Sequence, residues 1–356
     1  MNYLKKTIIF LFVVLFCFLI VIYMKNKEEK MANKEGDKIV IGFAMDTLVH
    51  ERWLRDRDIF TAVAKELGAE VIIQTANSDS KEQEKQVKYL LDNDIDILVL
   101  VPHDAEYAER MVREAKSRGV KVIAYDRLVK NANVDLYISF DNVKVGELMG
   151  KAIIEAKPEG NYILLNGSKS DNNSFLLNEG YYKVLEPMIN NKKINIIGET
   201  WVKDWLYENA FQFTNDILAE NIQVDGIIAA NDTLAAAAVN ALSEKRLAGK
   251  VAVVAQDADL DACQRVVEGT QLATVYKPID ILVKTAVQYA IDMAKGKEIQ
   301  TDETIYDGKY EVPYYKIEPV LVTKENMMDT VIADNFHSLE DVYMNVPKFL
   351  WPNKEK

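Results

Sequence analysis

Nine side chains, far apart in the sequence, are suited to one task. Arg52, Arg127 and Lys277 donate hydrogen bonds, Asp171 and Asp257 accept them, Asn173 and Asn231 do both, and Trp53 and Trp205 offer flat apolar faces. A neutral polyol needs this inventory: its hydroxyls take donors and acceptors together, and the C–H patches of a sugar ring take aromatic cover. Each residue alone has an ordinary alternative as a helix cap or a salt-bridge partner. Asn231, for example, precedes the alanine-rich stretch Thr233 to Leu242 and suits an N-cap. The case rests on joint occurrence. Asp126 and Asp232 are expected to orient Arg127 and Asn231, and Trp201 to belong to the core.

Catalysis is not indicated. The first β-branched run is followed by Ala44, Met45 and Asp46, where a dinucleotide-binding turn would need G-x-G-x-x-G. His50, His103 and His337 are widely separated, and Cys17 and Cys263 cannot form a thiolate cluster, so neither a metal nor another cofactor is expected. The 356 residues carry a formal net charge of -12, which disfavours nucleic acid as a partner because phosphate binding calls for a basic face.

The elements that must position these residues alternate in type. Ile39–Phe43, Val71–Gln74, Ile95–Val101, Val120–Tyr125 and Leu136–Ser139 have the character of strands. Leu54–Leu67, Lys81–Leu91 and Ala105–Arg118 between them are patterned as helices. A second series starts with a helix near Val143, and continues with strands at Tyr162–Leu165, Ile194–Gly198, Gly226–Ala230 and Val251–Ala255. Such alternation predicts an α/β chain of two doubly wound parallel-sheet lobes joined by a hinge. Ligands of such sheets sit beyond the carboxyl ends of the strands, where the polar residues above fall. The expected division is a membrane segment and linker at 1–36, a first lobe of 37–141 plus 279–322, a second lobe of 142–278, and a tail at 323–356.

Several motifs in fixed order resemble the bacterial xylose-binding proteins of the type I periplasmic-binding fold. They are Glu51-Arg52-Trp53, Ala124-Tyr125-Asp126-Arg127, Tyr137-Ile138-Ser139-Phe140-Asp141-Asn142, Asp171-Asn172-Asn173, Asn231-Asp232, Gln256-Asp257-Ala258-Asp259-Leu260 and Thr274-Val275-Tyr276-Lys277-Pro278. The resemblance covers Lys38 to about Phe336. It implies a non-enzymatic protein that closes around D-xylose or a related pentose, with Arg52, Arg127, Asp171, Asn173, Asn231, Asp257 and Lys277 bonding to the sugar. Trp53 and Trp205 would then be its aromatic walls.

Before the first lobe, Lys5 and Lys6 precede an unbroken apolar run from Ile8 to Met24. Its exit, Val21-Ile22-Tyr23-Met24, lacks the small residues of a signal-peptidase site, and Phe16 before Cys17 does not suit a lipoprotein signal. The run therefore predicts an uncleaved single-pass anchor in the cell membrane, with the binding domain extracellular or periplasmic. A permanent anchor favours a fixed membrane partner, a sensor histidine kinase of a two-component system, over the alternative, the permease of an ABC importer. The tail carries Val342, Tyr343, Met344, Val346, Phe349, Leu350 and Trp351, apolar enough for either a strap across a lobe or an interface.

Overall fold

The computed structural model describes residues 38–352. The apolar run at 8–24 lies outside them, and no described helix is long and apolar enough to cross a membrane.

The first series comprises β1 (Val40–Met45), α1 (Glu51–Glu66), β2 (Glu70–Thr75), α2 (Ser80–Asp92), β3 (Ile97–Leu100), α3 (Glu109–Ser117), β4 (Lys121–Tyr125) and β5 (Leu136–Phe140). The second comprises α4 (Asn142–Ala156), β6 (Gly160–Asn166), α5 (Asn172–Asn190), β7 (Ile194–Trp201), α6 (Tyr207–Ala219), β8 (Gly226–Ala229), α7 (Asp232–Glu244), β9 (Ala252–Gln256), α8 (Leu260–Glu268) and β10 (Ala273–Tyr276). Then come α9 (Ile279–Ala294), β11 (Glu303–Tyr306), β12 (Glu311–Ile317), β13 (Val320–Val322) and, in the tail, α10 (Leu339–Val342).

Two sheets result, in the orders β11-β12-β5-β4-β3-β1-β2 and β13-β10-β9-β8-β6-β7. Their central strands are parallel, and β3, β5, β8 and β9 are buried along their whole length, as strands covered by helices on both faces must be. The sequence-based division needs one adjustment: β13, expected with the first lobe, pairs antiparallel with β10 of the second sheet. The chain therefore crosses between lobes after β5, β10 and β12, and such strand crossings are where a hinge is placed.

In the second lobe α4 and α5 pack backbone to backbone. A Cβ on Gly180 would lie 2.1 Å from the Val143 carbonyl oxygen, so only glycine permits this approach. Hydrogen bonds span the cleft between the lobes: Ala105 N donates to Ser170 O at 2.9 Å and Leu260 N to the Glu51 carboxylate at 3.2 Å. The lobes are thus in a closed arrangement.

Candidate functional site

Helix α1 begins at Glu51, three residues ahead of Leu54, where the sequence pattern starts the helix, so Arg52 and Trp53 occupy its first turn. Both are buried, and the Arg52 guanidinium lies 4.3 Å from the Trp53 ring centroid. Arg52 Nη2 bonds Asp126 Oδ1 at 2.8 Å, its Nε stands 3.5 Å from Asp56 one turn along the helix, and its Nη1 reaches toward Asp257 of the other lobe at 3.7 Å. Arg127 spans the cleft more tightly. Its Nη1 pairs with Asp46 Oδ2 at 2.7 Å and its Nε with Asp171 Oδ2 at 2.8 Å.

The backbone between these two arginines is set by Asp126, which has φ +62. Its carbonyl accepts from Ser139 Oγ at 2.6 Å, Asn173 Nδ2 at 3.0 Å and the Tyr137 hydroxyl at 3.1 Å, enough to hold a conformation that L-residues disfavour. Its carboxylate pairs with Arg52 and itself lines the site, rather than orienting Arg127 from behind.

From the second lobe, Asp171 caps α5 by accepting Asn173 N at 2.9 Å, and Asn231 caps α7 by accepting Leu234 N at 2.9 Å. The cap and the site residue are the same side chain in both cases. Lys277, directly after β10, places Nζ 2.6 Å from Asp257 Oδ1. Trp205 sits on a short turn with φ +56, and a Cβ on Gly167 would come within 2.2 Å of its ring, so glycine there makes room for the indole. Asp232 faces away: it accepts from Gln271, Thr274 and Asp259 N behind the site and does not orient Asn231. Trp201 is half-buried at the end of β7, with its ring 4.7 Å from that of Phe175, and belongs neither to the core nor to the site.

All nine residues singled out from the sequence line one cavity between the lobes, joined by His50, Asp126 and Gln256. Arg52, Arg127 and Lys277 are matched there by Asp126, Asp171 and Asp257, so the cavity carries no net charge. Trp205 Nε1, a donor, and Gln256 Oε1, an acceptor, are buried without a hydrogen-bond partner among the described residues. Native proteins rarely leave such atoms unpaired, so both point to a polar occupant. No cluster of His, Cys, Asp and Glu among the described residues has the arrangement to hold a metal.

Burial alone would raise the Asp257 carboxyl, but the Lys277 and Arg52 charges outweigh it and hold the group below the usual range. At Asp171 burial prevails over Arg127 and the shift is upward. Asp46 is lowered against its burial by His103, 2.9 Å away, and by Arg127. Beneath Arg52, burial pushes Asp56 up to about 6 despite the guanidinium and its hydrogen bond from Tyr125. A raised carboxyl contributes stability that is complete below its unfolded pKa and lost as pH rises through the folded one. Asp56→Asn should therefore flatten the decline in stability from about pH 4 to pH 7, an effect on the order of 3 kcal/mol for a shift of this size, read from urea midpoints across that range.

Two lobes closed over a buried, charge-balanced polar cavity between them define a solute-binding protein. Residues 41–298 match the periplasmic binding protein domain family, and the chain belongs to that family. It is 45% identical over 304 residues to the D-xylose-binding periplasmic protein of Haemophilus influenzae, covering 85% of this chain and 92% of that one. To the D-xylose-binding periplasmic protein of Escherichia coli it is 44% identical over 301 residues, 84% and 91% of the two chains. Among solved structures, a carbohydrate transporter solute binding protein from Chloroflexus aurantiacus in complex with D-glucose superposes with a TM-score of 0.81 at 26% identity, over 86% of this chain and 98% of that one. An ABC transporter solute binding protein from Clostridium phytofermentans with bound β-D-glucose gives 0.79 at 25% identity, over 85% and 99%.

Proposed function

We propose that this protein binds D-xylose, or a pentose close to it, between its lobes and presents it to the permease of an ABC importer. The observation that carries the sugar is the cavity: three cations against three carboxylates, two tryptophans, and an unpaired donor and acceptor at Trp205 and Gln256. A sugar acid or sugar phosphate would upset that balance and leave a buried charge uncompensated. The relatives named for D-xylose support the pentose. Delivery to an importer is supported by the sugar-bound ABC transporter solute binding protein with the same fold. No chemical step is part of this reading: sugar favours the closed form because side chains of both lobes, Arg127 of one and Asp171 of the other among them, can bond to it together only when the lobes close.

The kinase-coupled reading rests on the apolar run at 8–24, which lies outside the described residues, and on resemblance to xylose-binding proteins that work with such kinases. Deleting the gene separates the two: lost xylose uptake with normal xylose-induced transcription supports import, and the reverse supports sensing. For the ligand, melting the chain from residue 33 onward against pentoses, hexoses, xylonate and xylose 5-phosphate should show D-xylose giving the largest shift and the two anions none. At a sugar concentration one hundred times Kd the stabilisation is about 2.7 kcal/mol. A larger shift with either anion would overturn the neutral-ligand reading.

A further inference from the structure

The Asp257 carboxylate reaches the cavity from a turn that L-residues avoid. Asp257 has φ +106 and Ala258, next to it, φ +54, two consecutive non-glycine residues in the left-handed half of conformational space. Such a turn persists only when its surroundings over-determine it. Two of its bonds come from the strand beside it: Asp257 N donates to Val275 O at 2.9 Å and Ala258 N to Thr274 Oγ1 at 3.1 Å. The Ala258 carbonyl oxygen accepts the others, a weak one from Cys263 Sγ at 3.5 Å and a shorter one from the C-terminal tail, where His337 Nε2 lies 2.8 Å away.

A carbonyl only accepts, so Nε2 carries the hydrogen, and Nδ1 is left to face Arg55 Nη2 at 3.5 Å. His337 is itself held from three sides. Its ring packs edge-on against Phe336 at 4.7 Å, Phe336 in turn lies under the Arg55 guanidinium at 4.0 Å and beside Tyr276 at 4.9 Å, and Leu339, Val342 and Tyr343 bury themselves with Cys263 and Val266 of α8. Burial holds the imidazole below the usual histidine range, which keeps Nδ1 bare beside Arg55. The tail is thus a strap resting on both lobes, with one polar atom aimed at the back of the sugar site.

We propose that His337 is a positioning residue of the binding site: by donating to the Ala258 carbonyl it fixes the Asp257–Ala258 turn, and through it the carboxylate that meets Lys277 and Arg52. This rests on the cavity being the sugar site. The test compares His337→Gln, whose amide nitrogen stands close to where Nε2 stands, with His337→Asn, whose amide is too short to reach. Sugar affinity by calorimetry and hydrogen exchange of the Asp257 and Ala258 amides are read in both, alongside the melting temperature.

H337N should bind D-xylose about tenfold more weakly, the equivalent of one lost buried hydrogen bond, and exchange these two amides faster. H337Q should recover both. A strap that matters only for stability would lower the melting temperature of both variants without changing affinity or the contrast between them, and that result overturns the proposal. Should H337N not fold, H337Q decides alone: affinity and protection like those of the parent support the proposal, and a tenfold loss overturns it. If the parent binds no sugar at all, the sugar reading fails, while amide exchange still decides whether His337 holds the turn.

Discussion

Arg127→Leu is expected to weaken sugar binding by two to almost four orders of magnitude while leaving each lobe folded. Arg127 stands between Asp46 of its own lobe and Asp171 of the other, at 2.7 and 2.8 Å, with all three side chains buried. Without the guanidinium, closure would bring two carboxylates into a dry site with no cation between them. Breaking a buried pair in this way costs about 3–5 kcal/mol, a loss of roughly 150- to 5,000-fold in affinity. The cost falls on closure, because opening returns Asp171 to water. Scattering profiles of the variant should accordingly stay those of an open molecule when sugar is added. Arg127→Lys should recover little, since a point charge cannot bond both carboxylates in the directions that a planar fork can. Affinity in R127L like that of the parent, by calorimetry, would show that this cavity is not where sugar binds.

Why Arg127 is visible in the sequence, and Asp46 beside it is not, shows what patterning conveys. Strand ends are legible because β-branched runs stop at polar residues, and in doubly wound sheets those positions form the ligand crevice. Arg127, Asp171, Asn231, Asp257 and Lys277 all stand at such ends. Asp46 also follows a strand, but its role comes from His103 and Arg127, which approach through tertiary folding from 57 and 81 residues away. The left-handed backbone at Asp126, Trp205 and Asp257 is equally silent, because no glycine announces it. For Asp126 the consequence is concrete: its carboxylate turns into the cavity toward Arg52 instead of supporting Arg127 from behind. The tail was readable as apolar, which does not distinguish a strap from an interface. Only the seating of Phe336 against both Arg55 and Tyr276 does that. β13 went to the wrong lobe for a related reason: three residues carry too little pattern to name a partner strand.

Lys277→Met should weaken sugar binding about a hundredfold, and it should also reverse the sign of one pH dependence. In the parent, Lys277 lies 2.6 Å from Asp257, Arg52 stands at 3.7 Å, and their charges hold the Asp257 carboxyl low against its burial. A lowered carboxyl contributes stability that is complete above its unfolded pKa and lost as pH falls through the folded value, so in the parent the Asp257 contribution is lost only in strong acid. In the variant, burial is opposed only by Arg52, from a longer distance, and more weakly by His50. Desolvation then dominates, the Asp257 pKa rises, and the sign inverts: stability is complete in mild acid and lost as pH rises toward neutrality. Urea midpoints for K277M, relative to the parent, should improve from pH 7 to pH 5, whereas a lysine that merely packed against Phe140 would give a deficit independent of pH. Adding Asp257→Asn to K277M should restore stability at neutral pH, because no unpaired buried charge remains, but it should not restore affinity. An amide without its ammonium partner offers the sugar weaker hydrogen bonds than the charged pair did.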